Sequence, residues 1–191
     1  MKLFSALRSL AFASVLGSSV FALGCGSADD VGQGSGDITD VNHTDVERQS
    51  IGNCWLYAEA SWIESMHLTA TGTAFDVSQS YWTYWHWYDQ IIAENPSEIQ
   101  TGGSYWTAND IVAERGIIPE KKFIAEDATS EMSTRQSSAL KTMNTELKTG
   151  RLKTSAARAD RALVRQVLDE AWQLTSSMKG QLTKAFGKDG K

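Results

Sequence analysis

Between Ser78 and Pro96 the chain carries more aromatic side chains than a surface helix can place. Tyr81, Trp82, Tyr84, Trp85, Trp87 and Tyr88 fall on nearly every side of a helix with 3.6 residues per turn. The spacing predicts a helix buried on more than one face. Ser78 supplies an N-cap hydroxyl, and Pro96, just after Asn95, marks the stop.

Other segments read as further helices. In 54–68, Trp55, Ala58, Trp62 and Met66 recur at three- and four-residue steps, Leu56 and Ile63 widen the stripe, and neither Gly nor Pro interrupts it. A third helix is expected from about Ser104 to Arg115, capped by Gly116. Two charged amphipathic helices follow, roughly 130–149 and 155–185, separated at Thr149-Gly150. Strand signals are weak, the best being Val41–Val46 and Gly116–Phe123, and no internal repeat is present. A length of 191 residues with 41% hydrophobic content suits one globular domain plus short appendages. The net charge of −5 argues against nucleic acid as a partner, since a phosphate-binding surface needs clustered Lys and Arg. The loose basic stretch Arg151–Arg165 reads as a solvated helix face.

Residues 1–24 are expected to be a secretory signal rather than part of the fold. Lys2 and Arg8 precede an apolar run from Leu10 to Leu23 that is too short and too rich in serine for a membrane span. The run ends in Ala22-Leu23-Gly24-Cys25, which resembles a bacterial lipobox, with Leu23 one place closer to the cysteine than the favoured leucine. That resemblance implies an acylated Cys25 as the mature N-terminus, and an exported protein held at the bacterial cell envelope, on the periplasmic or outer surface, by its lipid. Residues 25–40, dominated by Gly, Ser and Asp, read as a flexible tether, and 41–191 as the folded part. With Cys25 lipidated only Cys54 remains, so no internal disulfide is available; a lone thiol of this kind is either buried and inert or reactive.

Cys54 follows a turn-forming Gly52-Asn53 and opens an uninterrupted helical pattern. A thiol at a helix N-terminus faces unpaired N–H groups and the positive end of the macrodipole, which favours the nucleophilic thiolate. A neighbouring glutamine amide is suited to donate to a developing oxyanion, where one good donor is worth about 3–4 kcal/mol. The same residues also fit a small buried side chain opening a core helix.

The stretch Gln49-Ser50-Ile51-Gly52-Asn53-Cys54-Trp55-Leu56-Tyr57-Ala58 resembles the active-site segment of papain-superfamily cysteine peptidases, in which a Gln precedes a Gly-x-Cys-Trp-x-Phe/Tyr-Ala block. Two further blocks match in order. Val77-Ser78-Gln79-Ser80-Tyr81 resembles a segment of the bleomycin hydrolase and aminopeptidase C branch. Thr101-Gly102-Gly103-Ser104-Tyr105-Trp106, continuing through Gly116-Ile117-Ile118-Pro119, resembles that branch's Asp-Gly-Gly block and its ending. Together they cover roughly residues 46–124. The resemblance implies an α+β papain-like fold, of which this chain holds mainly the helical N-terminal half. It implies Cys54 as nucleophile, Gln49 as oxyanion donor, Gly102 and Gly103 where substrate backbone passes close by, and a peptide or protein as substrate. Gln49 stands five residues before Cys54 where the family glutamine stands six before, and Arg48 occupies that place.

The base is the larger departure. In such enzymes a histidine and its orienting asparagine lie well over a hundred residues beyond the cysteine, whereas this sequence has His43, His67 and His86 only. His67, thirteen residues along the same helix, is roughly 20 Å from Cys54. The sequence therefore implies a cysteine-type peptidase that is incomplete or inactive as it stands and lacks a His-bearing C-terminal half. The alternative is a lipid-anchored, non-catalytic module that binds peptide or protein through its Trp/Tyr-rich surface. No metal or cofactor is expected, because one thiol and scattered histidines are too few for a zinc site.

Overall fold

The computed structural model of the protein describes residues 41–191. The expected signal segment, the tether and Cys25 lie outside them.

The aromatic segment forms α2 (Gln79–Glu94) and is enclosed on all sides. The Ser78 hydroxyl accepts from the Tyr81 N–H at 3.0 Å, and Asn95 ends the helix in the left-handed region at φ 53°. Its six aromatic side chains are each 2% exposed or less. Around it pack α1 (Cys54–Thr71), α3 (Tyr105–Arg115), α4 (Glu120–Phe123), α6 (Ser155–Ala159) and α7 (Arg161–Ala171). A long α5 (Thr134–Lys148) lies against α7, and α8 (Ser176–Phe186) brings Phe186 to within 4.7 Å of the Trp85 ring centroid. Trp85 meets Tyr81, Tyr84, Tyr88 and Phe186 edge to face, the arrangement that aligns positive ring edges with negative faces.

Two guanidinium groups share this core. Arg115 lies 4.2 Å from the Trp85 centroid and Arg165 lies 5.1 Å from it. Arg165 is 3% exposed and donates through Nε to the Tyr84 hydroxyl at 2.7 Å, which in turn donates to Asp169 Oδ1. The basic stretch is thus not wholly a solvated face: its last member is drawn inward by an aromatic wall and a hydroxyl acceptor.

The α+β class is overturned for this chain. Among the described residues there is no strand, only isolated bridges pairing Val77 with Pro119 and Arg48 with Met132. At the first, Ser78 N–H donates to Ile118 O and Glu120 N–H to Asp76 O, but Pro119 has no N–H to extend a ladder and instead caps α4. The second lies beyond the other expected strand, Val41–Val46, which finds side-chain partners instead: Thr44 Oγ1 donates to Glu64, and Ser65 Oγ donates to Asn42 O. A sheet needs a neighbouring backbone edge, and these segments are offered helices.

Two helix expectations also change. The single helix over 155–185 is three, because Asp160 caps α7 by accepting from Leu163 N–H and Thr175 caps α8 by accepting from Met178 N–H. On α1 the buried residues are Leu56, Glu59, Ala60 and Glu64, while Trp62 and Met66 of the expected stripe are about half exposed.

Candidate functional site

Cys54 is the first residue of α1, and its thiol is free and exposed. The turn ahead of it is tight: Asn53 N–H donates to Ile51 O, and Leu56 N–H donates to Asn53 O. Asn53 sits in the N-cap position but gives no side-chain cap. Its amide points inward, 1% exposed, and donates to Thr83 Oγ1 at 3.0 Å and Gln136 Oε1 at 2.9 Å. Gln136 Nε2 donates onward to the Tyr57 hydroxyl and to Ser80 Oγ, and Ser80 donates to Asp127. Directional bonds from α1, α2 and α5 therefore fix the cysteine end of α1. The first backbone N–H groups of that helix are left without a side-chain acceptor.

This lattice is the part that sequence reasoning missed. Its one local signal is Gln136, a polar residue in phase with the buried Ala139, Met143 and Leu147 of α5.

Gln49 is exposed and shares with Cys54 an open depression of about 370 Å³, lined also by Glu47, Arg48 and Tyr57. The two residues are thus brought to one surface. Burial raises the Tyr57 hydroxyl far above its ordinary range, with the Gln136 amide acting the other way, so the phenol stays protonated. Glu47 is held up at about 7, first by burial and then by the charges of Asp76 and Glu64.

The Gly102-Gly103 loop reaches the same end of α1 through Trp55. The indole Nε1 donates to Thr101 O at 2.9 Å. A Cβ on Gly103 would stand 2.4 Å from the Trp55 ring, and one on Gly52 would stand 2.7 Å from Thr101 Oγ1. Gly103 is therefore required by the ring pressed against it. At Gly102 a Cβ would meet nothing within 4 Å, so the fold itself does not require glycine there.

The three histidines occupy different places in the fold. His67 packs on Phe75 near the far end of α1. His43 is exposed and lines a different cavity. His86, on α2, meets the Trp55 ring edge-on at 4.9 Å, and its Nε2 is buried without a partner. Burial lowers its pKa, with the backbone of Gln100 acting weakly in the other direction, so the imidazole is favoured in its neutral form. No histidine lines the Cys54 depression. Among the described residues no group of His, Cys, Asp and Glu is arranged to hold a metal ion, and no helix is long and apolar enough to cross a membrane.

No protein-family model and no curated protein matches the chain.

Proposed function

We propose that this chain is the nucleophile-bearing part of a cysteine-type peptidase, with Cys54 as the attacking thiolate, Gln49 as oxyanion donor and Gly102 beside the path of the substrate backbone. The observation that supports it most is the exposed thiol at the tip of α1, sharing its depression with Gln49 and joined to the glycine loop through Trp55. Attack of the sulfur on a peptide carbonyl would form a C–S bond, break the C–N bond and give an acyl-thioester with release of the protonated amine. In the enzymes this stretch resembles a histidine performs the proton transfers, and no histidine lines the depression. General-base assistance is worth roughly 10²–10⁴-fold, so the purified 191-residue chain is expected not to turn over peptide amides. Iodoacetamide at pH 6 should modify Cys54 faster than it modifies free cysteine, with Cys54→Ser unlabelled. Labelling no faster than free cysteine would remove the activated nucleophile from this reading, and Cys54-dependent peptide hydrolysis would remove the missing base.

A second reading rests on a different surface. Trp62, Met66, Tyr105 and Trp106 are 47–75% exposed, and the Trp62 and Tyr105 rings lie 6.0 Å apart across α1 and α3. An exposed aromatic ridge of this kind suits a lipid-anchored module that holds a peptide or protein without cleaving it. Peptide binding that survives Cys54→Ala but is lost in Trp106→Ala would favour it over the enzyme.

A further inference from the structure

Ahead of Cys54, residues 43–47 form one wall of a cavity of about 580 Å³, whose other walls include Glu64, Asp76 and Glu131. The segment is tacked down at both ends. Ser65 Oγ on α1 donates to Asn42 O, Thr44 Oγ1 donates to Glu64, and Arg48 N–H donates to Glu131 O at 2.7 Å. Between these fastenings Glu47 lines three hollows at once: this cavity, a smaller one of about 200 Å³ against Tyr57 and Gln79, and the Cys54 depression.

What faces Glu47 is almost uniformly acidic or neutral. From α1 come Glu64 and the Tyr57 hydroxyl, from the α1–α2 link Asp76, from α4 Glu120, from the turn before α5 Asp127, and from α2 the uncharged Gln79. The nearby cations do not compensate. Arg48 turns outward to a solvent-exposed pair with Glu131, and Lys121 acts on Asp76. His43 on the segment's own stretch bonds only to the Thr44 carbonyl. Glu64 is committed to Thr44 and to the Val77 N–H, and Glu120, 3% exposed, leaves Oε1 without a partner. These carboxylates are not arranged as a cation cage.

We infer that residues 42–49 form a proton-gated strap, seated over the acidic cavity while Glu47 carries its proton and loosened when Glu47 releases that proton to water. Ionised Glu47 adds a further negative charge among Glu64, Asp76 and Asp127 with no cation to receive it. Gln49 lies two residues on, so the loosened strap carries the amide away from Cys54. The seated form binds the proton more tightly than the free strap. Seating is therefore complete below the ordinary carboxylate range and is lost as pH rises from there to about 7. Asp76, raised to about 6 by burial and by Glu64, reinforces the same direction. The device stands whether or not Cys54 is a nucleophile.

Hydrogen exchange on the whole chain tests it, with each amide rate divided by that of an unstructured peptide at the same pH. The Arg48 amide should lose about tenfold or more of its protection between pH 5 and pH 8, while the Trp85 amide in α2 keeps its own. In Glu47→Gln the Arg48 protection should be the same at both pH values. In Asp76→Asn, with one repelling charge removed, the loss should be centred at lower pH. Flat protection in the wild type, a drop retained in Glu47→Gln, or an unshifted midpoint in Asp76→Asn would each overturn the strap. None of these readings depends on Cys54.

Discussion

The surroundings of Trp85 and the lattice beneath Cys54 are buried to the same degree but held by different forces. At Trp85 four aromatic rings and two guanidinium groups share contact area, and no single contact fixes the position of the others. Beneath Cys54 the space is filled by Asn53, Thr83, Gln136 and Ser80, with half-buried Asp127 at their edge, linked by directional hydrogen bonds that leave Asn53 Oδ1 without a partner. Area is additive and forgiving of direction, whereas a buried hydrogen bond is costly to leave unmade. The first region sets how firmly the molecule holds together, and the second sets where the thiol stands.

Trp85→Ala should show the largest effect, a loss of about 3–5 kcal/mol of unfolding free energy by denaturant titration. A loss under about 1 kcal/mol would mean that the aromatic region is not the centre of stability. Gln136→Leu comes next, at about 1–3 kcal/mol, because it strips the partners of Asn53, Tyr57 and Ser80 without opening a large void. Its distinguishing result is a changed alkylation rate at Cys54, which Trp85→Ala should leave near the wild-type value while the protein stays folded. Asp76→Asn should stabilise the protein at pH 8 by about 1 kcal/mol, a figure reduced for partial exposure, and should be neutral at pH 4 where the carboxyl is already protonated. Stabilisation at pH 4 would reverse that assignment. Cys54→Ala should be smallest, within about 0.5 kcal/mol, since an exposed thiol contributes little packing.

Much of the area-driven region was readable in advance. Six rings within eight residues admit few placements other than a central helix, and Ser78, Asn95 and Gly116 mark helix ends where local chemistry alone suffices. The phase of α1 was not readable in the same way. Trp62 and Met66 look like core by size, yet the inward face carries Glu64, whose carboxylate is satisfied by Thr44 and by the Val77 N–H. Those partners are remote in sequence and leave no periodic trace. The strands were misjudged for a related reason: β-branched residues in Val41–Val46 signal an extended chain, but nothing in the segment tells whether a backbone edge waits beside it. Cys54, Gln49 and the glycine loop were legible as a group only through resemblance. Spacing along the chain could not show that Gly103 is fitted to an indole ring, nor that a glutamine eighty-three residues away braces the cysteine's turn.

The buried His86 imidazole against Trp55, its Nε2 without a partner, gives the molecule a counterweight to its acidic side. Released from the fold, that ring takes up a proton near its ordinary value; folded, it resists doing so, and cohesion falls as water turns acid. Glu47 and Asp76 tilt the opposite way across much of the same interval. Burial raises Glu120, Asp89 and Asp169 in the same sense, so the imidazole offsets only part of the acidic side's slope.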